Sequence, residues 1–407
     1  MLLLSRGLPV GLLVAGLAAL AINPADLRAQ AKKDAKKDAP AVKKDAPVVK
    51  KEEKKGPADD MGDKTVAFGT SDGLTLKGHW FQGQALDKQR PDAVMMFPAP
   101  GSKVTDAWIE LAKEMAKKNF SVLLFDWRGC GMNGPDAGSR VFESTQLFWD
   151  EPYNQKLLSG RKRTIEDKGL DYKTLEGRSE GNLRYREFML NDLLGARFFL
   201  DRQNDNQKCN TNRVWVVSEK DGAHMGLAFI ATEFTRNSIF TPTVTPAIGV
   251  QYKGAGRDYV GLVALSYSNG NNAASAIFRN ALPASSVNPG VKEAKSHLEA
   301  RLAALLLYSK KEGASASKAL VSSLGVGTSE EHMKSNYKYL REIDVNDLRV
   351  TGIDIIGQAD PFKVRDKVVE NMVGISKAQP FGKDATDRQA NKMLNVPRFQ
   401  IEAFRGR

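Results

Sequence analysis

Five short apolar runs that alternate with helical patterns constrain the fold of this 407-residue chain more than any other feature. Continuous apolar runs of this length are typical of strands buried on both faces, which occur in parallel sheets covered by helices. The alternation therefore predicts an α/β fold with a mostly parallel central sheet and helices on both faces. The runs are DAVMMF (92–97), SVLLFD (121–126), RVWVVS (213–218), YVGLVALSY (259–267) and RLAALLLYS (301–309).

Two further strand patterns flank these runs. KTVAF and LTLKGHWFQ, joined by the turn residues Ser71-Asp72-Gly73, predict a β-hairpin that starts near residue 65. YKYLREI (337–343) predicts a last strand. Helical periodicity is present at about 104–118, along MLNDLLGARFFLDR and at about 222–234.

The first 31 residues have the three zones of a secretory signal peptide. Arg6 precedes the apolar run LPVGLLVAGLAALAI, and the small-residue site Ala29-Gln30-Ala31 follows it. The run is shorter than the about 20 residues that a membrane span needs, and a retained N-terminal anchor is the alternative. We expect an exported protein, periplasmic or extracellular.

A lysine-rich segment, 32–62, repeats KKDA with interspersed prolines and has almost no apolar surface, which predicts a disordered linker. Residues 31–56 hold ten lysines against five acids, a net +5 of the chain's +12. The basic charge is therefore largely a property of this segment, and no nucleic-acid partner is expected. A solvated tether is one interpretation, and adhesion to an anionic envelope surface is another.

The predicted domain spans 63–407 and contains a long polar insertion at 133–180, which is typical of a functional lid. Its two cysteines, Cys130 and Cys209, fall at opposite ends of parallel strands, roughly 20 Å apart. A disulfide needs Cα atoms within about 7 Å, so we predict two free thiols.

Three strands are followed by turns with recognisable sequences: MMFPAPGS, FDWRGCGMNG and VVSEKDGAHMG. Their order and spacing resemble the α/β-hydrolase fold over about residues 65–343, with 344–407 as a C-terminal extension. LDRQNDNQKCN and YKYLREIDVNDLRVTGIDIIG resemble, more narrowly, secreted planctomycete α/β-hydrolase-like proteins of unassigned function.

The third turn resembles the nucleophile elbow of these hydrolases, in which small residues flank the nucleophile because a strained turn packs strand against helix. Ser218, Gly222 and Ala223 occupy the small positions in only one register, and that register puts Lys220 at the nucleophile position. Asp221 as nucleophile would place Glu219 at a small position. Lysine is a poor acyl acceptor, so the resemblance implies a degenerate site.

The other catalytic positions are also degenerate. Pro98 and Ala99 replace the His-Gly pair of the oxyanion loop, and Pro100, at the donor position, has no N–H. The acid position is Glu312 in one register and Asp360 in another, which would shift the last strands. None of the histidines, His79, His224, His297 and His332, follows the last predicted strand, where the triad histidine belongs.

The sequence gives little support for a cofactor or metal site. GCGMNG matches Gly-x-Gly-x-x-Gly after a strand, but a dinucleotide site needs a helix to open at the third glycine, and Pro135 follows it instead. No metal-ligand spacing is present, and we expect neither cofactor nor metal.

These patterns predict a non-catalytic binding or scaffold module, a pseudoenzyme, that holds an unknown small molecule or protein at the carboxyl edge of its sheet. The expected pocket contains Pro98, Pro100, Lys220, Asp221 and Glu312, with Lys220 and Glu312 forming an ion pair. The alternative is a hydrolase, esterase-like or peptidase-like, or another enzyme, with a non-standard site around Lys220.

Overall fold

The fold is taken from a computed structural model that describes residues 63–85, 89–138, 185–239, 255–267, 273–282, 289–309, 341–345, 350–358 and 363–378. All of them belong to one compact unit, Lys55–Arg407. The predicted signal peptide and lysine-rich linker lie outside the described residues.

The described residues form one eight-stranded sheet with the order β1-β2-β4-β3-β5-β6-β7-β8. β1 and β2 form the predicted antiparallel hairpin, and β2 also runs antiparallel to β4. All remaining neighbours are parallel, which confirms the predicted sheet. The strands are β1 Lys64–Gly69, β2 Thr75–Phe81, β3 Asp92–Phe97, β4 Phe120–Phe125, β5 Asn210–Glu219, β6 Tyr259–Leu265, β7 Ala303–Ser309 and β8 Arg341–Val345.

Helices connect the parallel strands. α1 shows why they form: its apolar residues Trp108, Leu111, Ala112 and Met115 recur at helical spacing and are all buried against the sheet. Among the residues that the structure describes, none of the helices is both long and apolar enough to cross a membrane. The helices are α1 Asp106–Lys117, α2 Tyr185–Phe188, α3 Leu190–Asp205, α4 Lys220–Ile239, α5 Ala273–Ala281, α6 Pro289–Ala300, α7 Asp354–Gln358 and α8 Val364–Ala378.

The sheet is buried on both faces, and successive residues of a strand point to opposite faces. Along β3, Ala93, Met95 and Phe97 pack into the core beneath α3, α4, α5 and α6. Val94 and Met96 pack into a second core beneath α1, α7 and α8. The apolar runs of the sequence are continuous because both faces need apolar side chains.

The C-terminal part of the chain contributes to this second core. The α/β-hydrolase resemblance ended at residue 343, yet buried side chains from 353 to 375 cover one face of the sheet. GIDIIG (352–357), which the Asp360 register would read as a strand, forms a turn and the start of α7. Its isoleucines are buried in the second core instead of pairing with a neighbouring strand.

Candidate functional site

The passage from β5 to α4 is a sharp turn at Lys220. The strand ends at Glu219, the helix begins at Lys220, and Lys220 has φ 47°. A left-handed backbone is uncommon for a residue with a Cβ and costs on the order of 1–3 kcal/mol. The turn therefore stores strain at this residue.

Small residues around the turn let it pack tightly. A Cβ on Gly222 would lie 2.2 Å from Ser218 Oγ and 2.8 Å from the Pro98 carbonyl oxygen. Only glycine fits there, because both of these groups are buried at the end of the sheet. The structure thus places Ser218 and Gly222 in the register that the sequence predicted, with Lys220 between them.

Three features decide the fold. They are the strand order 1-2-4-3-5-6-7-8, the antiparallel β2, and the strained strand-turn-helix after β5. The chain has the α/β-hydrolase fold. Lys220 stands at the turn between β5 and α4, where the sequence predicts the nucleophile position, and its side chain is half-buried at the carboxyl edge of the sheet.

The loop after β3, residues 98–102, lies against this elbow. The Pro98 carbonyl accepts a hydrogen bond from Trp127 Nε1 at 2.8 Å, which anchors the start of the loop. Ala99 N–H donates to Glu219 Oε1 at 3.4 Å. Pro100, which the sequence predicts at the oxyanion-donor position, has no N–H to donate.

The turn at 350–353, which follows β8, also lies against the elbow. Ile353 N–H donates to Glu219 Oε2 at 2.9 Å, and Gly352 N–H donates to Ser266 Oγ at the end of β6. A Cβ on Gly352 would lie 2.0 Å from Glu219 Oε2 and 3.2 Å from Lys220 Cε. The backbone of Gly352 therefore lies directly beside the Lys220 stem, in the region after β8 where hydrolases of this fold carry the triad histidine.

Asp221, the residue after Lys220, pairs with Arg186 of α2 at 3.0 Å. Both side chains are only partly exposed, at 14% for Arg186 and 24% for Asp221. The ion pair connects the first turn of α4 to α2, so the Asp221 carboxylate has a structural role.

His224 lies one turn into α4 and is buried. Its ring stacks on Tyr267 with centroids 4.2 Å apart. Burial lowers the pKa of His224 to about 4, against Asp221 and a hydrogen bond with the Lys220 backbone, which both raise it. The imidazole is therefore neutral at pH 7.

The remaining histidines are remote from the elbow or outside the described residues. His79 Nδ1 pairs with Asp63 in the hairpin, and His297 Nε2 donates to the Tyr259 carbonyl at 2.8 Å. His332 is not among the described residues, nor are the two candidate acids, Glu312 and Asp360. The predicted Lys220–Glu312 ion pair and the roles of both acids stay predictions.

The Gly-rich turn after β4 has a structural role. Asp126 accepts N–H bonds from Val104 at 2.6 Å and Met132 at 2.9 Å. A Cβ on Gly131 would lie 2.1 Å from Asp126 Oδ2, so this glycine lets the turn close on the carboxylate. A short 3₁₀ turn, Pro135–Ala137, follows the third glycine in place of the helix that a dinucleotide site requires.

Arg128 of the same turn is fully buried between two aspartates. It bonds Asp72 at 2.6 Å and Asp192 at 2.6 Å, and so joins the hairpin turn to α3. Burial raises the pKa of Asp192 to about 6, and Arg128 opposes that rise. The motif stood out in the sequence for its glycines, whereas in the structure its Arg128 connects the turn to Asp72 and Asp192.

Both cysteines are buried free thiols, which confirms the prediction made from the strand ends. Across the described ranges, no group of three or more His, Cys, Asp and Glu side chains is placed to hold a metal ion.

No protein-family model matches the chain, and no curated protein matches it. Solved structures similar to it include the esterase Pf2001 of Pyrococcus furiosus, at 15% identity, TM-score 0.40, over 79% of this chain and 93% of that one. Brefeldin A esterase, a bacterial homologue of human hormone-sensitive lipase, is similar at 13% identity and TM-score 0.43, over 83% and 81%. EstE1, a thermophilic carboxylesterase from a metagenomic library, is similar at 11% and 0.41, over 78% and 90%. At these identities the likeness concerns the fold alone, and the narrower planctomycete resemblance is not shown.

These comparisons correct the functional prediction. The similar solved structures are esterases, so the prediction of a non-catalytic binding or scaffold module is wrong, and the alternative of a hydrolase agrees better with them. The physical reason is that the absence of a Ser-His-Asp triad, which the sequence predicts, would remove one mechanism only. The elbow itself, with its strained Lys220 backbone, remains in place.

Sequence reasoning missed the residues that surround Lys220. Glu219 was considered as a residue too large for a small position and as a member of an alternative hydrolase site with Asp221 and His224, and Gly352 and Ile353 were not considered. One signal was present: an acidic residue directly after the buried run VWVVS is itself buried only where hydrogen bonds compensate its charge.

Proposed function

We propose that the chain is a hydrolase of carboxylic esters or related acyl compounds, with its site centred on Lys220. The observation that carries the proposal is the left-handed backbone of Lys220 at the elbow, φ 47°. A glycine would remove this strain, and strain that is retained at a non-glycine residue is characteristic of functional sites.

The chemistry of an amine limits what Lys220 does. If its amine accepted an acyl group, the product would be an amide, which is much more stable than an ester and would block further turnover. Its ammonium form instead suits the stabilisation of negative charge on a tetrahedral intermediate. Such a charge compensates for the N–H that Pro100 does not supply.

The base that activates water needs an unprotonated acceptor. Burial lowers the pKa of His224 to about 4, so its ring is neutral at pH 7 but is a weak base, and the residue is only 2% exposed. Among the acidic residues at the elbow, Glu219 is engaged by two backbone N–H groups and Asp221 by Arg186. The proposal therefore assigns charge stabilisation to Lys220 and gives none of these three side chains the role of the base.

The test is a panel of p-nitrophenyl esters, a lactone and an anilide, assayed with the purified full-length chain. We expect multiple turnovers of at least one ester, and a fall of about 10²–10³ in kcat for Lys220→Met. Lys220→Arg keeps the charge and should retain part of the activity. Lys113→Met is the matched control, since Lys113 is an exposed lysine on α1 that pairs with Glu110.

Mass spectrometry of the reacted protein separates hydrolysis from acylation. A single equivalent of p-nitrophenol released together with a stable acyl group on Lys220 would show a reactive lysine and no hydrolase. Absence of turnover across the panel, or turnover that Lys220→Met leaves unchanged, would refute the proposal.

We also propose that the protein works outside the cytoplasm. Support comes from the leader pattern at 1–31 and the lysine-rich segment at 32–62, which is suited to a tether or to an anionic envelope surface. N-terminal sequencing of the exported protein should start at residue 32, and an intact leader in a cytoplasmic fraction would contradict this.

A further inference from the structure

We propose that Glu219 is a positioning residue whose carboxylate holds the loop after β3 and the turn after β8 on either side of Lys220. In this way it sets the opening into which the scissile carbonyl fits. The inference rests on the proposed function, since the opening is the one that an acyl substrate would use.

The two hydrogen bonds come from distant parts of the chain. Ala99 lies 120 residues before Glu219 and donates to Oε1 at 3.4 Å. Ile353 lies 134 residues after it and donates to Oε2 at 2.9 Å. One side chain thus fixes two segments that no regular secondary structure joins to each other.

Glu219 is well placed for this role and poorly placed for catalysis. Glu219 is 4% exposed, and each of its carboxylate oxygens already accepts a hydrogen bond from a backbone N–H. Bonds to an ionised acceptor are about twice as strong as neutral ones, so the carboxylate holds backbone more firmly than an amide would. Because both oxygens are engaged inside the protein, the side chain acts through the loops and does not touch the substrate.

The position of Lys220 depends on the same contact. Glu219 Oε2 and Lys220 Cε both border the space beside Gly352 Cα, at 2.0 Å and 3.2 Å from a Cβ built there. Movement of the turn after β8 would therefore change the path of the Lys220 stem. The Ala99 bond is the longer of the two, so the loop after β3 is the segment held less firmly.

The experiment compares full-length wild type with Glu219→Gln and Glu219→Ala, using Glu110→Gln on the exposed face of α1 as control. Glutamine keeps the size of the side chain but has one acceptor oxygen, so it can retain one N–H bond and must lose the other. The first readout is native-state hydrogen exchange in peptides that contain the Ala99 and Ile353 amides. We expect exchange about 10–100-fold faster at one of them in Glu219→Gln and at both in Glu219→Ala.

The second readout is kcat and KM for the ester that the wild type cleaves best. We expect kcat about 10–100-fold lower in Glu219→Gln with a smaller change in KM, because the opening is misplaced while the substrate still binds. If Glu219→Ala does not fold, Glu219→Gln decides alone.

The outcomes separate the two proposals. Exchange at both amides that is as slow in the variants as in wild type overturns the positioning role. Faster exchange with unchanged kcat overturns the positioning role as well, because loosening the two segments then has no effect on the reaction. If wild type cleaves no ester, the proposed function fails, and the exchange rates still report whether Glu219 holds the two segments.

Discussion

Replacement of Gly352 by alanine tests the geometry around Lys220 directly. Gly352 has φ 69°, and an added Cβ would lie 2.0 Å from Glu219 Oε2, 3.1 Å from Glu219 Cδ and 3.2 Å from Lys220 Cε. The first distance is shorter than any real Cβ contact, so the carboxylate must move away from the turn. Its hydrogen bond with Ile353 N–H would then be lost.

The expected cost follows from three effects. A left-handed alanine costs about 1–2 kcal/mol relative to glycine. A buried polar group left without its partner costs about 1–3 kcal/mol. The lower entropy of the unfolded alanine chain offsets about 0.4–1 kcal/mol. The free energy of unfolding should therefore fall by about 1–5 kcal/mol in Gly352→Ala.

Two other glycines isolate these effects. Gly138 has φ 63° with nothing within 4 Å of an added Cβ, so Gly138→Ala measures backbone strain without a clash. Gly374 lies inside α8, also with open space, and Gly374→Ala should stabilise the helix by about 0.5–1 kcal/mol. Urea unfolding of the three variants gives the comparison. Destabilisation by Gly352→Ala no larger than by Gly138→Ala would show that Glu219 does not lie against this turn.

Three further predictions concern strain, charge and pH. Lys220→Gly should raise the free energy of unfolding by about 1 kcal/mol in urea titrations, since it relieves the left-handed backbone at this residue. The same variant should lose ester turnover. A less stable variant would contradict the strain argument. Arg128→Met should lower it by about 3–5 kcal/mol, because two buried aspartates lose their partner, and a neutral effect would contradict the buried ion pairs. Burial lowers the pKa of both His224 and His297 to about 4, so the unfolded chain binds protons below pH 6.5 that the native protein does not. Each histidine should therefore lower stability by about 2–3 kcal/mol between pH 6.5 and 4.5, while Asp192, whose pKa burial raises to about 6, opposes that fall. His297→Gln should show a smaller loss of stability on acidification than wild type, and an equal loss would contradict the contribution of His297.

The sheet could be predicted from the sequence because strands that are buried on both faces have continuous runs of apolar residues. DAVMMF became β3 at the predicted residues, with Val94 and Met95 in different cores. The hairpin was predicted from its turn residues in the same way. GIDIIG was harder, since isoleucines that cover the sheet from a helix have the same composition as isoleucines within a strand.

The elbow was predictable because its packing demands particular small residues. Gly222 is fixed by a clash that any larger side chain would make with Ser218 and Pro98. The partners of Glu219 were not predictable, because Ala99 and Ile353 contribute backbone N–H groups, which every residue except proline carries. Only the folded chain shows which of these groups meet the carboxylate.

The turn after β8 limits which single substitutions could give this site a different chemistry. Lys220→Ser would introduce the residue type of a serine hydrolase, but the Gly352 backbone lies beside that position, where Gly352 N–H is bonded to Ser266 and Ile353 N–H to Glu219. A histidine introduced in this turn would disturb those bonds, and Pro100 has no N–H to donate. A serine-hydrolase site would therefore need several coordinated substitutions, whereas a site based on Lys220 needs none of them.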